Sequence, residues 1–191
     1  QKSGVPSAKS YARLDASTSL PEMSSFTVCY RIFLTRYREE STLMSYAISD
    51  GKDNELRMDH RTSGYKVSLH SRWAKTKVLT PLLVWSHWCF SYSARSGDWK
   101  IYYNGKLEST GTLPNDIPVL DGGGAYIIGQ EQDRMGGGFQ RDQSYSGGIT
   151  DLNFWSKILD DESIRKMQRC CKPESGSRNL GRSYMQGFQT G

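Results

Sequence analysis

No apolar run in the chain approaches the length of a transmembrane span, so nothing in it reads as a membrane helix. The opening residues Gln1-Lys2-Ser3-Gly4 lack the charged and apolar regions of a secretory signal, so any signal has been removed or was never present. There is no Cys-x-x-Cys pair, which argues against zinc ribbons and thioredoxin-type chemistry. The basic residues form no block, and helix-turn-helix, RNA-recognition and zinc-finger patterns are missing, which argues against sequence-specific nucleic-acid binding. Histidine is scarce: His60, His70 and His87 have no serine or cysteine nucleophile in a motif beside them. The glycine runs at 122–124 and 136–138 open no amphipathic helix, so neither reads as a phosphate-cradling loop, and no internal repeat divides the chain.

What is present suits one all-β domain. The 191 residues are 36% hydrophobic and 12% aromatic, enough to fill the space between two sheets. Phe26, Val28, Tyr30, Ile32 and Leu34 alternate, the period-two mark of a strand with one buried face. Short β-prone segments recur at 43–48, 65–70, 87–93, 99–103, 125–128 and 149–155, a sandwich or barrel rhythm. Asn104-Gly105 reads as a tight hairpin, because both residues tolerate positive φ. One helix is expected over 160–169, capped by Asp160, with acids in its first turn and Ile164 and Met167 on the packed face. Residues 1–10 and 172–191 read as extensions around a domain over 11–171.

Of the four cysteines, Cys170 and Cys171 are adjacent and ill placed to pair with each other, so at least one is expected to bond another chain. A disulfide context implies an extracellular protein. The excess of 25 basic over 20 acidic residues, +5 in all, first means solubility and adds a mild preference for polyanionic surfaces.

Three segments together resemble the pentraxin family: Ser25-Phe26-Thr27-Val28-Cys29; His87-Trp88-Cys89-Phe90-Ser91-Tyr92-Ser93, with Tyr92 where the family signature has Trp; and the stretch from Ile128 through Glu131-Gln132-Asp133 and the 136–138 glycines to Trp155. Leu43-Met44-Ser45-Tyr46-Ala47 and Asp53-Asn54-Glu55 extend the likeness to roughly 11–169, although the usual first strand before Tyr11 is not evident. The resemblance implies a two-sheet antiparallel jelly-roll sandwich with one short helix, a Cys29–Cys89 bridge, and calcium on the face opposite the helix. It implies a first ion held by Asp53, Asn54, Glu131, the carbonyl of Gln132, and Asp133. A second would share Glu131 and Asp133 and add Gln140 and Gln143. Calcium takes six to eight hard oxygen ligands, and these residues offer that mixture on two loops. Gln140 stands where the family usually carries an acid, so one strong site and a second weaker or absent one are expected.

The family's phosphocholine preference does not carry over, because Asp59 stands near the position of the aromatic wall and Trp73 near that of the acid. Arg57, His60, Arg61, Arg134 and Arg141 are instead expected to form a cationic rim for anionic glycan, phosphate or phospholipid. The resulting expectation is a secreted, calcium-dependent, lectin-like recognition module of innate-immune type, assembled as a cyclic homo-oligomer. The alternative is a structural or adhesive subunit that has lost small-ligand binding and docks into a larger extracellular assembly through Cys170 or Cys171. An enzyme is not expected: a sandwich glycosidase would need a third acid near Glu131 and Asp133, and Gly136 stands in its place.

Overall fold

The computed structural model describes residues 7–14, 20–114 and 119–169, together with the backbone of 188–190. Among the described residues, twelve strands form two antiparallel sheets. In chain order these are β1 (Ala12–Leu14), β2 (Ser25–Leu34), β3 (Ser41–Ala47), β4 (Leu56–Arg61), β5 (Gly64–Leu69), β6 (Arg72–Thr76), β7 (Trp85–Ser93), β8 (Asp98–Tyr103), β9 (Lys106–Thr112), β10 (Ala125–Ile128), β11 (Gly147–Trp155) and β12 (Phe188–Thr190). A 3-10 turn covers Arg141–Gln143 and the helix α1 covers Asp161–Arg169. The seven-stranded sheet runs β12-β1-β10-β3-β4-β5-β6 and the five-stranded sheet β11-β2-β7-β8-β9. This is the expected jelly-roll sandwich.

The alternation in β2 sets the core. Phe26, Val28, Tyr30, Ile32 and Leu34 are all fully buried, and the first four share one core with Met44, Tyr46, Leu56, Met58, Tyr65 and Val67 from the other sheet. Cys29, one step out of phase, therefore points to the outer side. It lies directly opposite Cys89 in the β2–β7 register, and the two are bridged. Helix α1 covers that bridge with Ile164 and Met167, beside Tyr102, Trp155 and Leu159. Asp160 caps the helix as expected, its Oδ1 accepting from the Ser163 amide at 2.6 Å. The Asn104-Gly105 turn takes φ of 47° and 79°. A side chain at Gly105 would meet α1 at Gln168 and Arg165, so the hairpin tip needs glycine for contact as well as for conformation.

A first strand does exist, but after Tyr11 rather than before it. β1 pairs β10 on one edge and the backbone of 188–190 on the other, so the described part of the expected C-terminal extension lies in the sheet. The rest of that extension, residues 1–6, and Cys170 and Cys171 lie outside the described residues. Among the described residues, no helix is long and apolar enough to cross a membrane.

Candidate functional site

Side chains on the outer face of the seven-stranded sheet alternate with the core set. In β4, Leu56, Met58 and His60 point inward, whereas Arg57, Asp59 and Arg61 point outward under the loops that follow β2 and β10. The outward residues remain buried because they pair with each other. Arg57 reaches Asp59 Oδ1 at 2.9 Å, a Glu40 carboxylate oxygen, and Glu131 Oε1 at 3.4 Å. Arg61 bridges Glu40 at 2.6 Å and Asp59 at 2.8 Å, and Thr42 donates to Asp59 at 2.8 Å. Burial alone would raise the Glu40 carboxyl, but the two guanidiniums outweigh it and hold it below its usual range.

Glu131 lies at the edge of this network, 2% exposed. Burial raises its carboxyl to about 7; Arg57 opposes the shift, and the neighbouring carboxylates of Asp133 and Asp53 add to it. Asp53 on one loop and Asp133 on the other are thus near enough for their charges to act on Glu131. Glu131 Oε2, Asn54 Oδ1 and Gln143 Oε1 are buried oxygens with no hydrogen-bond partner. Each belongs to a residue expected as a calcium ligand, and buried unsatisfied acceptors are costly enough to require an explanation. Hard cations at the two expected sites, Asn54 on the first, Gln143 on the second and Glu131 shared, would satisfy these oxygens, so the donor set fits calcium.

The supporting contacts show why these oxygens are available. The Gln132 side chain is fully committed inside the fold: its amide nitrogen donates to Ser45 O, Ser45 Oγ and Ala125 O, and its Oε1 accepts from the Gly136 amide at 2.7 Å. Only its main-chain carbonyl could serve a metal. Gln143 Nε2 donates to Glu40 at 3.1 Å, which leaves Oε1 without a partner. Gln140 donates Nε2 to Asp133 Oδ2 at 2.8 Å. A Cβ at Gly138 (φ 79°) would lie 2.8 Å from Asp133 Cβ, so glycine there lets the loop fold back on Asp133. A cavity of about 540 Å³ lined by Arg36, Arg38, Glu39, Glu40, Asp142 and Gln143 opens beside Gln143.

The expected cationic rim is not assembled. Arg57 is 6% exposed and locked between three carboxylates. His60 is 1% exposed and belongs to the core: it is stacked on Tyr65, bonds the Tyr30 hydroxyl at 3.2 Å and Thr80 Oγ1 at 2.7 Å, and burial lowers it to about 3. Arg61 is committed to the ion network, leaving Arg134 and Arg141 exposed at the surface. Asp59 is also buried, so it forms no pocket wall, and Trp73 is exposed with the Lys66 ammonium 3.3 Å from its ring centroid.

Glu40 is the residue that sequence reasoning missed. It follows the charged run Arg36-Tyr37-Arg38-Glu39, which signals only a solvated turn, and its partners are Arg57, Arg61 and Gln143, far away in the chain. Among the described residues, the His, Cys, Asp and Glu side chains that bring three donor atoms within 4.8 Å of one another are Cys29, His87 and Cys89, and both sulfurs are consumed by the disulfide.

The sequence pattern of the Pentaxin family matches residues 4–177. C-reactive protein 1.4 of Limulus polyphemus is 30% identical over 175 residues, covering 87% of this chain and 71% of that protein. The Sushi, von Willebrand factor type A, EGF and pentraxin domain-containing protein 1 of Mus musculus is 29% identical over 164 residues, which are 84% of this chain and 4% of the mouse protein. The chain thus spans only a small part of that longer relative. The native heptameric SAP-like pentraxin of Limulus polyphemus superimposes with a TM-score of 0.77 at 26% identity, over 95% of this chain and 85% of that one.

Proposed function

The chain belongs to the pentraxin family, and from that premise we propose that it is a secreted, calcium-dependent binding module for anionic groups on glycans, phosphates or phospholipids, with no catalytic role. The observation that carries this reading is the set of three unpartnered buried oxygens, Asn54 Oδ1, Glu131 Oε2 and Gln143 Oε1. In the reading, Asp53, Asn54, Glu131, the Gln132 carbonyl and Asp133 hold the first ion. Glu131, Asp133, Gln140 and Gln143 hold a weaker second. Bound calcium supplies positive charge with exchangeable coordination positions for phosphate, sulfate or carboxylate oxygens. The protein supplies the rest: Glu40 orients Gln143 through its amide, Ser45 fixes Gln132, and the Arg57–Asp59–Arg61 network forms a rigid floor. Family members are binding proteins that generally take calcium, which supports the reading. A cyclic homo-oligomer is part of it, supported by the heptameric neighbour, and would multiply weak contacts with a repetitive surface.

A second reading, a structural subunit without small-ligand binding, is favoured by Arg57. Its guanidinium already places a positive charge 3.4 Å from Glu131 and so partly neutralises the site without metal. Retention on immobilised phosphate and sulfated glycan, with calcium and with chelator, separates the two. Retention only with calcium supports the first reading; none under either condition supports the second.

A further inference from the structure

The segment between β6 and β7 crosses from one sheet to the other and ends in an apolar surface that the ligand site does not use. Leu79, Leu82, Leu83, Val84 and Trp85 are each 43–63% exposed within seven residues. Solitary exposed apolar residues are ordinary, but a contiguous group marks an interaction surface. The display is built into the backbone. Leu82 forms a parallel bridge to Leu34 at the end of β2, and the Leu83 amide donates to the Leu34 carbonyl at 2.8 Å. Leu83 itself sits at φ 61°, a conformation bulky side chains rarely adopt and one that persists only where surrounding structure enforces it. Trp85 lies against Phe33, with ring centroids 5.6 Å apart, and over Gly148, where a Cβ would come within 3.2 Å of the indole. One part of the indole is pinned to the fold and the remainder faces solvent.

The charge around the loop points to what covers it. Residues 72–86 carry Arg72, Lys75 and Lys77, all exposed, and no acid. Arg36, two residues beyond Leu34, is also exposed; Glu39 and Asp142 share its cavity. Exposed leucines and valine, a half-exposed tryptophan and a charged flank that is cationic are the groups a lipid surface receives in its acyl chains, interface and anionic headgroups. For a second copy of the chain the patch is small. Five half-exposed side chains offer on the order of a few hundred Å², below the roughly 800 Å² per partner of a standard interface.

We propose that residues 79–85 form a membrane-docking loop whose Leu82, Leu83 and Val84 enter the interfacial layer of an anionic bilayer while Trp85 rests at the headgroup level. The docking depends on the loop and its flanking cations and is independent of the calcium site. The test is flotation of the full chain with phosphatidylcholine vesicles, with and without phosphatidylserine, in chelator throughout, alongside tryptophan emission. Binding to the phosphatidylserine vesicles with a blue-shifted emission is expected, and added salt weakens it. The double variant Leu82→Ser/Leu83→Asn keeps the fold, because Asn tolerates positive φ, and is expected to lose about tenfold or more in partitioning. Thermal melting of the variant verifies its fold, and Leu82→Ser alone, expected to show part of the loss, serves if the double variant melts early. Absence of vesicle binding in chelator, or binding unchanged in both variants, overturns the proposal. So does concentration-dependent self-association that the variants abolish, since it would assign the patch to a second copy.

Discussion

Arg57 Nη1 lies 3.4 Å from Glu131 Oε1, while the other oxygen of that carboxylate, Oε2, has no partner. One side chain is thus divided between an internal cation and the place where an external one fits. Removing Arg57 leaves Glu40 and Glu131 short of a counter-charge and Asp59 with Arg61 as its remaining ion-pair partner. Breaking a buried ion pair of this kind costs about 3 kcal/mol or more. Arg57→Leu is therefore expected to lower the melting temperature strongly without calcium and to show a larger calcium-induced gain than the parent chain. Melting curves with calcium and with chelator check both.

Acidity acts on the site through Glu131. Its carboxyl is raised to about 7, so the folded, metal-free protein holds a proton between the ordinary carboxylate range and pH 7 that the unfolded chain has released. Its contribution to metal-free stability is fully present below the unfolded pKa and is lost as pH rises towards 7. Calcium requires the ionised form and must displace that proton. Affinity is expected to be about tenfold weaker at about pH 6 than at about pH 8, as titrations at the two values would show.

Much of the fold was legible because the residues that decide it are apolar and regularly spaced. Phe26 to Leu34 shows its strand plainly, and Asp160, Ile164 and Met167 show the helix. β4 was not recognised as a strand: its inward face ends in His60 and its outward face is Arg57, Asp59 and Arg61, so the segment reads as charged surface although all but Arg61 are nearly fully buried. β6 and β9 hid for the opposite reason, since Ala74 is the one buried residue of β6 and β9 has none. The two loops bearing the candidate ligands were legible from Asp53-Asn54 and Glu131-Gln132-Asp133. The floor beneath them was not, because Glu40 meets Arg57 only through the sheet register.

The buried histidines oppose Glu131 in sign. Burial lowers His60 to about 3 and, together with Arg31, lowers His87 to about 4. Below the ordinary histidine range the unfolded chain takes up protons that the fold refuses, so stability falls as pH drops from about 6.5 towards 4. His60→Gln is expected to flatten this fall relative to the parent chain, measured as urea midpoints at about pH 7 and about pH 4.5.

The Cys29–Cys89 bridge spans a sequence separation of 60 and is sealed under Ile164 and Met167. The chain-entropy estimate for a loop of that length is about 4 kcal/mol. Cys29→Ala/Cys89→Ala is expected to lose stability of that order by denaturant unfolding, whereas reductant alone acts slowly on the covered bridge.

Calorimetric titration of the metal-free protein with calcium tests the central claim most directly. In the proposed arrangement Glu131 and Asp133 would share their charge between both ions, Asp53 would add to the first alone, and Gln140, whose amide donates to Asp133 at 2.8 Å, would bring the second a neutral oxygen. Replacing a carboxylate by an amide lowers the attraction for the second ion and leaves its repulsion from the first less offset. The account predicts one tight step and one weak or absent step, with Asp133→Ala abolishing the tight step and Gln140→Glu strengthening the weak one. Two steps of equal affinity, or a tight step unchanged by Asp133→Ala, would contradict it.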